Sequence, residues 1–175
     1  EDRIKTFITN GYHRTYNDLL HKHAAEVDVI GSNITWLNYR LQLGFTAVYY
    51  SFGDKELNPE KKDYNRYYLR GKDHFNTGIN YHYRSKKWSF QGETALDKSM
   101  KAATINNISV RMLSFFDILF SFRYYDKAYS ALYCKAFSEA TSIQHETGIY
   151  TGIKFQPFSY REIMTYWDHF RFPFK

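Results

Sequence analysis

The chain has 175 residues, one domain's worth, with 43% hydrophobic and 20% aromatic residues and a formal net charge of +6. That aromatic content, with only 3 Pro and 9 Gly, excludes disordered and collagen-like classes. The single cysteine, Cys134, excludes an internal disulfide scaffold. The longest stretch without Asp, Glu, Lys or Arg runs over residues 41–53, well short of the roughly 20 apolar residues of a membrane-spanning helix. Transmembrane β-strands, which need only about 10 alternating residues, pass this test. The mildly basic balance permits contact with anionic lipid or nucleic acid without requiring it.

The opening Glu1-Asp2-Arg3 carries charge and no apolar run follows, so no signal peptide is read there, and an exported protein would be a processed or excised piece. Thr15-Tyr16-Asn17-Asp18 has the form of a capping box with Asp in place of Glu, which predicts a short helix over 17–25. A weak strand signal follows over 27–39. Over 41–52, Leu41, Leu43, Phe45, Ala47 and Tyr49 alternate with Gln42, Gly44, Thr46, Val48 and Tyr50. Residues 54–73, dense in charge and holding Pro59, read as a long loop.

The clearest period of two spans 75–84. Phe75, Thr77, Ile79, Tyr81 and Tyr83 form one row, and Asn76, Gly78, Asn80, His82 and Arg84 the other. A polar turn, Ser85-Lys86-Lys87, joins it to a second alternating run over 88–97, so the pair reads as a hairpin. Further strands are expected over 105–113, 117–125, 128–139, 146–156 and 161–170. The resulting expectation is an all-β, antiparallel meander of about eight to nine strands. It would form a transmembrane β-barrel or a slice of a larger one, as a single region over 1–175.

The contents of the two faces decide between a membrane barrel and a soluble barrel or sandwich with an internal ligand. Soluble strands bury aliphatic groups and expose Lys, Glu and Thr. Here the polar row mixes Gly, Asn, Gln, Tyr and charges of both signs, which suits a hydrated barrel lumen. Arg84, Glu93, Asp97, Arg123, Glu146, Lys154 and Asp168 are the expected lumen network. Phe75, Ile79, Tyr81, Phe90, Phe120, Phe122, Ile149 and Trp167 are the expected lipid-facing and girdle residues. Carboxylates in such a network could do acid/base work, but a salt-bridged filling that fixes strand register is the better reading.

Several stretches are shared in order with one group of proteins. They are Gly11-Tyr12-His13-Arg14-Thr15, Asn65-Arg66-Tyr67-Tyr68-Leu69-Arg70-Gly71-Lys72-Asp73 and Gly92-Glu93-Thr94-Ala95-Leu96-Asp97. Ala136-Phe137-Ser138-Glu139, Glu146-Thr147-Gly148-Ile149-Tyr150 and Phe170-Arg171-Phe172-Pro173 complete the set. The chain resembles the β-barrel region of Bacteroidota outer-membrane and envelope proteins that carry an N-terminal helix-hairpin-helix segment of the competence type. The resemblance implies the outer membrane of a Gram-negative bacterium, an interior slice of a longer chain, and contact with outer-membrane lipid or lipopolysaccharide and other envelope proteins. Nothing in the chain matches the DNA-binding hairpin itself, so nucleic-acid binding does not carry over. The end in Phe174-Lys175 also differs from the aromatic assembly signal that often closes a complete barrel.

No cofactor, metal site or catalytic set is expected. His21 and His23 sit two apart, a spacing that points apart on a helix. A lipid-modifying barrel enzyme would pair a serine or threonine with a histidine, and His13 with Thr15, or His82 with Ser89, are the candidates. Neither has a flanking motif. The tyrosines interleaved with basic residues in the 54–73 loop suit nucleic acid or lipopolysaccharide, but neighbouring acids offset most of that charge. Cys134, expected in a strand, reads as a small apolar filler. The expected role is structural, in assembly or in transport.

Overall fold

A computed structural model describes residues 3–4, 12, 15–20, 25–60, 62, 66–139 and 143–172. Ten strands and one short helix follow in the order β1 (Arg3–Ile4), α1 (Tyr16–Leu20), β2 (Asp28–Leu37), β3 (Leu41–Ser51), β4 (Glu56–Leu57) and β5 (Asp73–Arg84). Then come β6 (Trp88–Asp97), β7 (Ala102–Leu113), β8 (Phe116–Tyr125), β9 (Glu146–Phe158) and β10 (Arg161–Arg171). Eight of them form one antiparallel meander in the order β10-β9-β8-β7-β6-β5-β3-β2, while β1 and β4 make a separate parallel pair. Strand formation follows the period-two runs rich in aromatic and β-branched residues, where alternate side chains reach opposite faces of the pleat.

The two ends of the sheet differ. At one end, connections of two or three residues (38–40, 85–87, 114–115 and 159–160) join neighbouring strands. Ser85 N donates to Trp88 O at 2.7 Å and Asn38 N to Leu41 O at 2.8 Å, closing tight turns. At the other end lie the 52–72 and 126–145 loops and the short 98–101 turn. In that turn Asp97 Oδ1 accepts from Ser99 N and Lys101 N, and Met100 takes a left-handed φ of 58°. Such asymmetry, short turns on one side and long loops on the other, is a property of outer-membrane barrels.

Register adds a slant. Cross-strand partners starting at Asn33 are Thr46, Gly78, Ala95, Ala103, Tyr125 and Glu146. Asn33 lies mid-strand in β2 and Glu146 opens β9, so the slip averages about one residue per strand across the row, most of it between β5 and β6. A slip of about 3.3 Å for each 4.8 Å of sheet width inclines the strands by about 35°, the tilt that barrel walls carry.

Several expectations need correction. Among the described residues the sheet is not closed into a barrel: β2 pairs only with β3, and β10 only with β9. Residues 128–139 form no strand; they cross the polar face as part of the 126–145 loop, where the Ser130 backbone groups are taken by His74, Asn76 and Asp97 of the sheet instead of by a neighbouring strand. Cys134 therefore sits in a loop. A helix is present over Tyr16–Leu20, one residue earlier than the expected start, and Ala25 is not helical; 21–24 of the expected span lie outside the described residues.

The apolar core is small and confined to the long-loop end. Ile4, Phe52 and Leu57 pack together with Leu69 and Leu132, and Ala103, Tyr125 and Tyr129 form a second cluster with Cys134 and Ile143 against it. Neither covers the apolar face of the sheet. A single sheet layer with one bare apolar face is not a stable arrangement in water, where that face must be buried against another element.

Candidate functional site

Strand parity and register together assign every strand residue to a face. Arg84, Glu93, Asp97, Arg123, Glu146, Lys154 and Asp168 all fall on one face, through the pairs Arg84↔Ser89, Asn80↔Glu93, Asn76↔Asp97, Arg123↔Gly148, Tyr125↔Glu146, Asp117↔Lys154 and Tyr150↔Asp168. Phe75, Ile79, Tyr81, Phe90, Phe120, Phe122, Ile149 and Trp167 all fall on the other. Burial is inverted relative to a soluble protein. Arg123 and Glu146 are 0% exposed and Asp97 1%, while Ile79 is 57% and Trp167 60% exposed. The charged residues that parity puts on the apolar face, Asp28, Asp73, Arg161 and Arg171, each stand at the first or last position of a strand.

The most buried part of the polar face is an ion cluster on β8, β9 and β10, toward the long-loop end. Arg123 Nε donates to Glu146 Oε1, and its two terminal nitrogens reach Asp168 Oδ1 and Oδ2 at 3.0 and 3.1 Å in a planar fork. Reaching Asp168 on β10 from β8 means crossing β9, and the crossing is made at Gly148. A Cβ there would lie 2.5 Å from Arg123 Cζ. Gly148→Ala is therefore expected to displace the guanidinium and cost about 1–3 kcal/mol, read as a lower thermal midpoint in detergent. Gly31→Ala is the control, since its Cβ meets nothing closer than 3.5 Å.

This cluster also holds the 126–145 loop. Glu146 Oε2 accepts from Ser138 Oγ at 2.8 Å and from Glu139 N at 3.1 Å. Phe137 lies under the Arg123 guanidinium at 4.7 Å, and its carbonyl accepts from Tyr125 Oη at 2.7 Å. A second anchor sits nearer β5. Ser130 N donates to Asp97 Oδ2 at 3.1 Å, and Ser130 O accepts from His74 Nε2 and Asn76 Nδ2, both at 2.9 Å. The loop is thus pinned to β5 and β6 at one point and to β8 and β9 at another, lying across the polar face. Within it, burial pushes the Tyr129 hydroxyl and the Cys134 thiol above their ordinary values, and nearby Asp97 and Glu93 add to the effect on Tyr129. Both groups stay neutral near pH 7, which leaves Cys134 protonated and a poor nucleophile.

The other expected network members stand apart from this cluster. Lys154 pairs with Glu162 on β10 at 2.5 Å. Glu93 is separated from Arg123 by Ile105 of β7, and neither Glu93 nor Arg84 makes an ion pair among the described residues. Asp97 binds backbone amides. His74, Asn76, Ser130, Phe137 and Ser138 were not singled out as site residues; Phe137 and Ser138 belong to one of the shared stretches, whereas the other three carry no local signal.

His82 Nε2 and Ser89 Oγ do approach to 3.2 Å. No carboxylate hydrogen-bonds the ring among the described residues, so the third member of a nucleophilic set is missing there. His13 and His21 to His23 lie outside the described residues. Among the described residues no group of three or more His, Cys, Asp or Glu side chains is placed to hold a metal ion, and no helix is long and apolar enough to cross a membrane. Comparisons of the chain with protein-family models, curated proteins and solved structures return no match.

Proposed function

We propose that the chain is wall of an outer-membrane β-barrel, with its apolar face against lipid, its polar face toward the lumen and the 126–145 loop drawn inward as a constriction. One observation carries this reading. Bulky apolar side chains stand exposed in a continuous band while Arg123, Glu146 and Asp97 are buried on the opposite face. A soluble monomer rarely exposes an apolar patch beyond a few hundred Å², and this band spans eight strands. The strands match a bilayer too: eleven residues tilted by about 35° rise about 30 Å, the thickness of a hydrocarbon core. The resemblance to Bacteroidota envelope proteins points the same way.

The role is structural or transport-related, with the constriction setting what passes along the polar face. Eight strands enclose a lumen only wide enough for side chains. A loop pinned across that face calls for a wider wall, so β2 and β10 are read as seams continued by further strands. Both expose unpaired ladder edges along about ten residues, an arrangement that invites pairing.

Cysteine labelling tests the reading. On a Cys134→Ser background, Ile79→Cys and Phe120→Cys are expected to resist a water-soluble maleimide once the protein is refolded into phospholipid vesicles. Glu93→Cys should react. Equal labelling of all three in vesicles would sink the membrane assignment.

A further inference from the structure

The formal charge of +6 is not spread over the molecule. At the short-turn end, Arg111 pairs with Asp117 at 3.1 Å and Lys154 with Glu162 at 2.5 Å. Arg40, Arg84, Lys86, Lys87 and Arg161 remain, all exposed and with no carboxylate of that end to offset them. That is a surplus of five charges within four tight connections, while the remaining cations and acids of the chain nearly cancel.

The cations stand just beyond a ring of aromatic groups. Trp36, Tyr39, Trp88, Phe115, Phe158 and Tyr160 are exposed at the same end. Arg40 lies over the Tyr39 ring at 5.9 Å and Arg161 over the Tyr160 ring at 5.7 Å, so these cations rest on the girdle with their charged heads outward. Aromatic rings settle at the level of lipid headgroups, and long basic side chains reach past them into water. At the long-loop end cations also lie over an aromatic ring, Arg66 and Lys127 over Tyr67 at 5.8 and 5.5 Å, but the charge there is offset: the lysines are interleaved in sequence with Asp54, Glu56, Glu60, Asp73 and Asp126, and Lys98 is paired with Asp73 at 2.7 Å.

We propose that the short-turn end is a docking surface for anionic glycerophospholipid, with Arg40, Lys86, Lys87 and Arg161 binding headgroup phosphates of the leaflet it faces, and Arg84, on the polar face, adding only to the local positive field. The proposal rests on the membrane reading above and adds to it a lipid class and a side. A basic group near an anionic surface gains about 1 kcal/mol, which is about fivefold in association, and the gain fades with salt. The interleaved aromatic girdle favours a lipid surface over a nucleic acid, whose electrostatic footprint is a basic stripe along its backbone track.

The test uses the whole chain refolded into phosphatidylcholine vesicles, with Trp36→Phe and Trp167→Phe leaving Trp88 to report on the short-turn end. Brominated phosphatidylglycerol and brominated phosphatidylcholine are compared as quenchers. Phosphatidylglycerol is expected to quench Trp88 with about fivefold higher apparent association at low salt. The preference should vanish in Lys86→Glu/Lys87→Glu/Arg161→Glu and shrink in high salt. Equal quenching by the two lipids in the parent, or a preference that survives the triple substitution, overturns the proposal while leaving the membrane reading intact. Loss of duplex-DNA binding in the triple variant, with its lipid preference retained, overturns it in favour of a nucleic-acid surface. Absence of quenching by either lipid overturns the membrane reading and this proposal with it.

Discussion

Arg123→Ala is expected to cost about 3–5 kcal/mol, the largest loss of any single change on the polar face, because it leaves Glu146 as an uncompensated charge with no access to water. In a chain of this length that corresponds to a thermal midpoint lower by about 10 °C. Glu146→Gln should cost less, since a neutral amide can still accept from Ser138 and Glu139 and leaves Arg123 its fork to Asp168. Asp168→Asn should cost least, because that side chain keeps 14% exposure and sits on the outermost strand. The loop gives a local readout. Freed of the Arg123 contact over Phe137, and held at Ser138 and Glu139 only by a Glu146 that Arg123 no longer positions, the 126–145 segment should become cleavable by trypsin at Lys135 in folded protein. Equal midpoints for Arg123→Ala and Asp168→Asn, with Lys135 still protected, would mean that the cluster does not hold the loop.

What the sequence discloses depends on how far the deciding interaction reaches. The faces were readable at Ile79, Phe90, Glu93 and Arg123 because parity is local: a side chain's face follows from its place in the alternation, whatever strand lies beside it. The pairings were not readable in the same way. Whether Arg123 meets Glu93 or Asp168 depends on the stagger of β6 through β10 and on Gly148 opening a path over β9. Residues 128–139 misled for a related reason. Tyr129, Tyr133, Cys134 and Phe137 have the composition of a strand, but His74, Asn76 and Asp97, distant in sequence, take the Ser130 backbone groups that a ladder would need. Closure is beyond parity altogether, since the exposed edges of β2 and β10 are set by what stands next to them.

Ile79→Lys separates the membrane reading from its soluble rival by sign and size. Ile79 lies near the middle of β5, on the apolar face, between Phe45 of β3 and Thr94 of β6. At 57% exposure, a lysine there in water would replace a half-exposed aliphatic group with a soluble one, and surface changes of that kind usually stay within about 0.5 kcal/mol. Against lipid the same substitution puts an ammonium near the bilayer midplane and is expected to cost about 2–4 kcal/mol. Asp73→Lys, at the first position of the same strand and the same face, adds a depth penalty of about 1 kcal/mol or less, because that penalty falls away toward the interface, and loses an exposed pair to Lys98 worth at most about 1 kcal/mol, so its total should stay below the loss at Ile79. The measurement is urea-dependent folding into phospholipid vesicles for the parent and both variants. A large loss at Ile79 with a small one at Asp73 is a depth profile, which a water-exposed sheet has no means to produce. Two equal, small effects would return the apolar face to solvent and require some other cover for it.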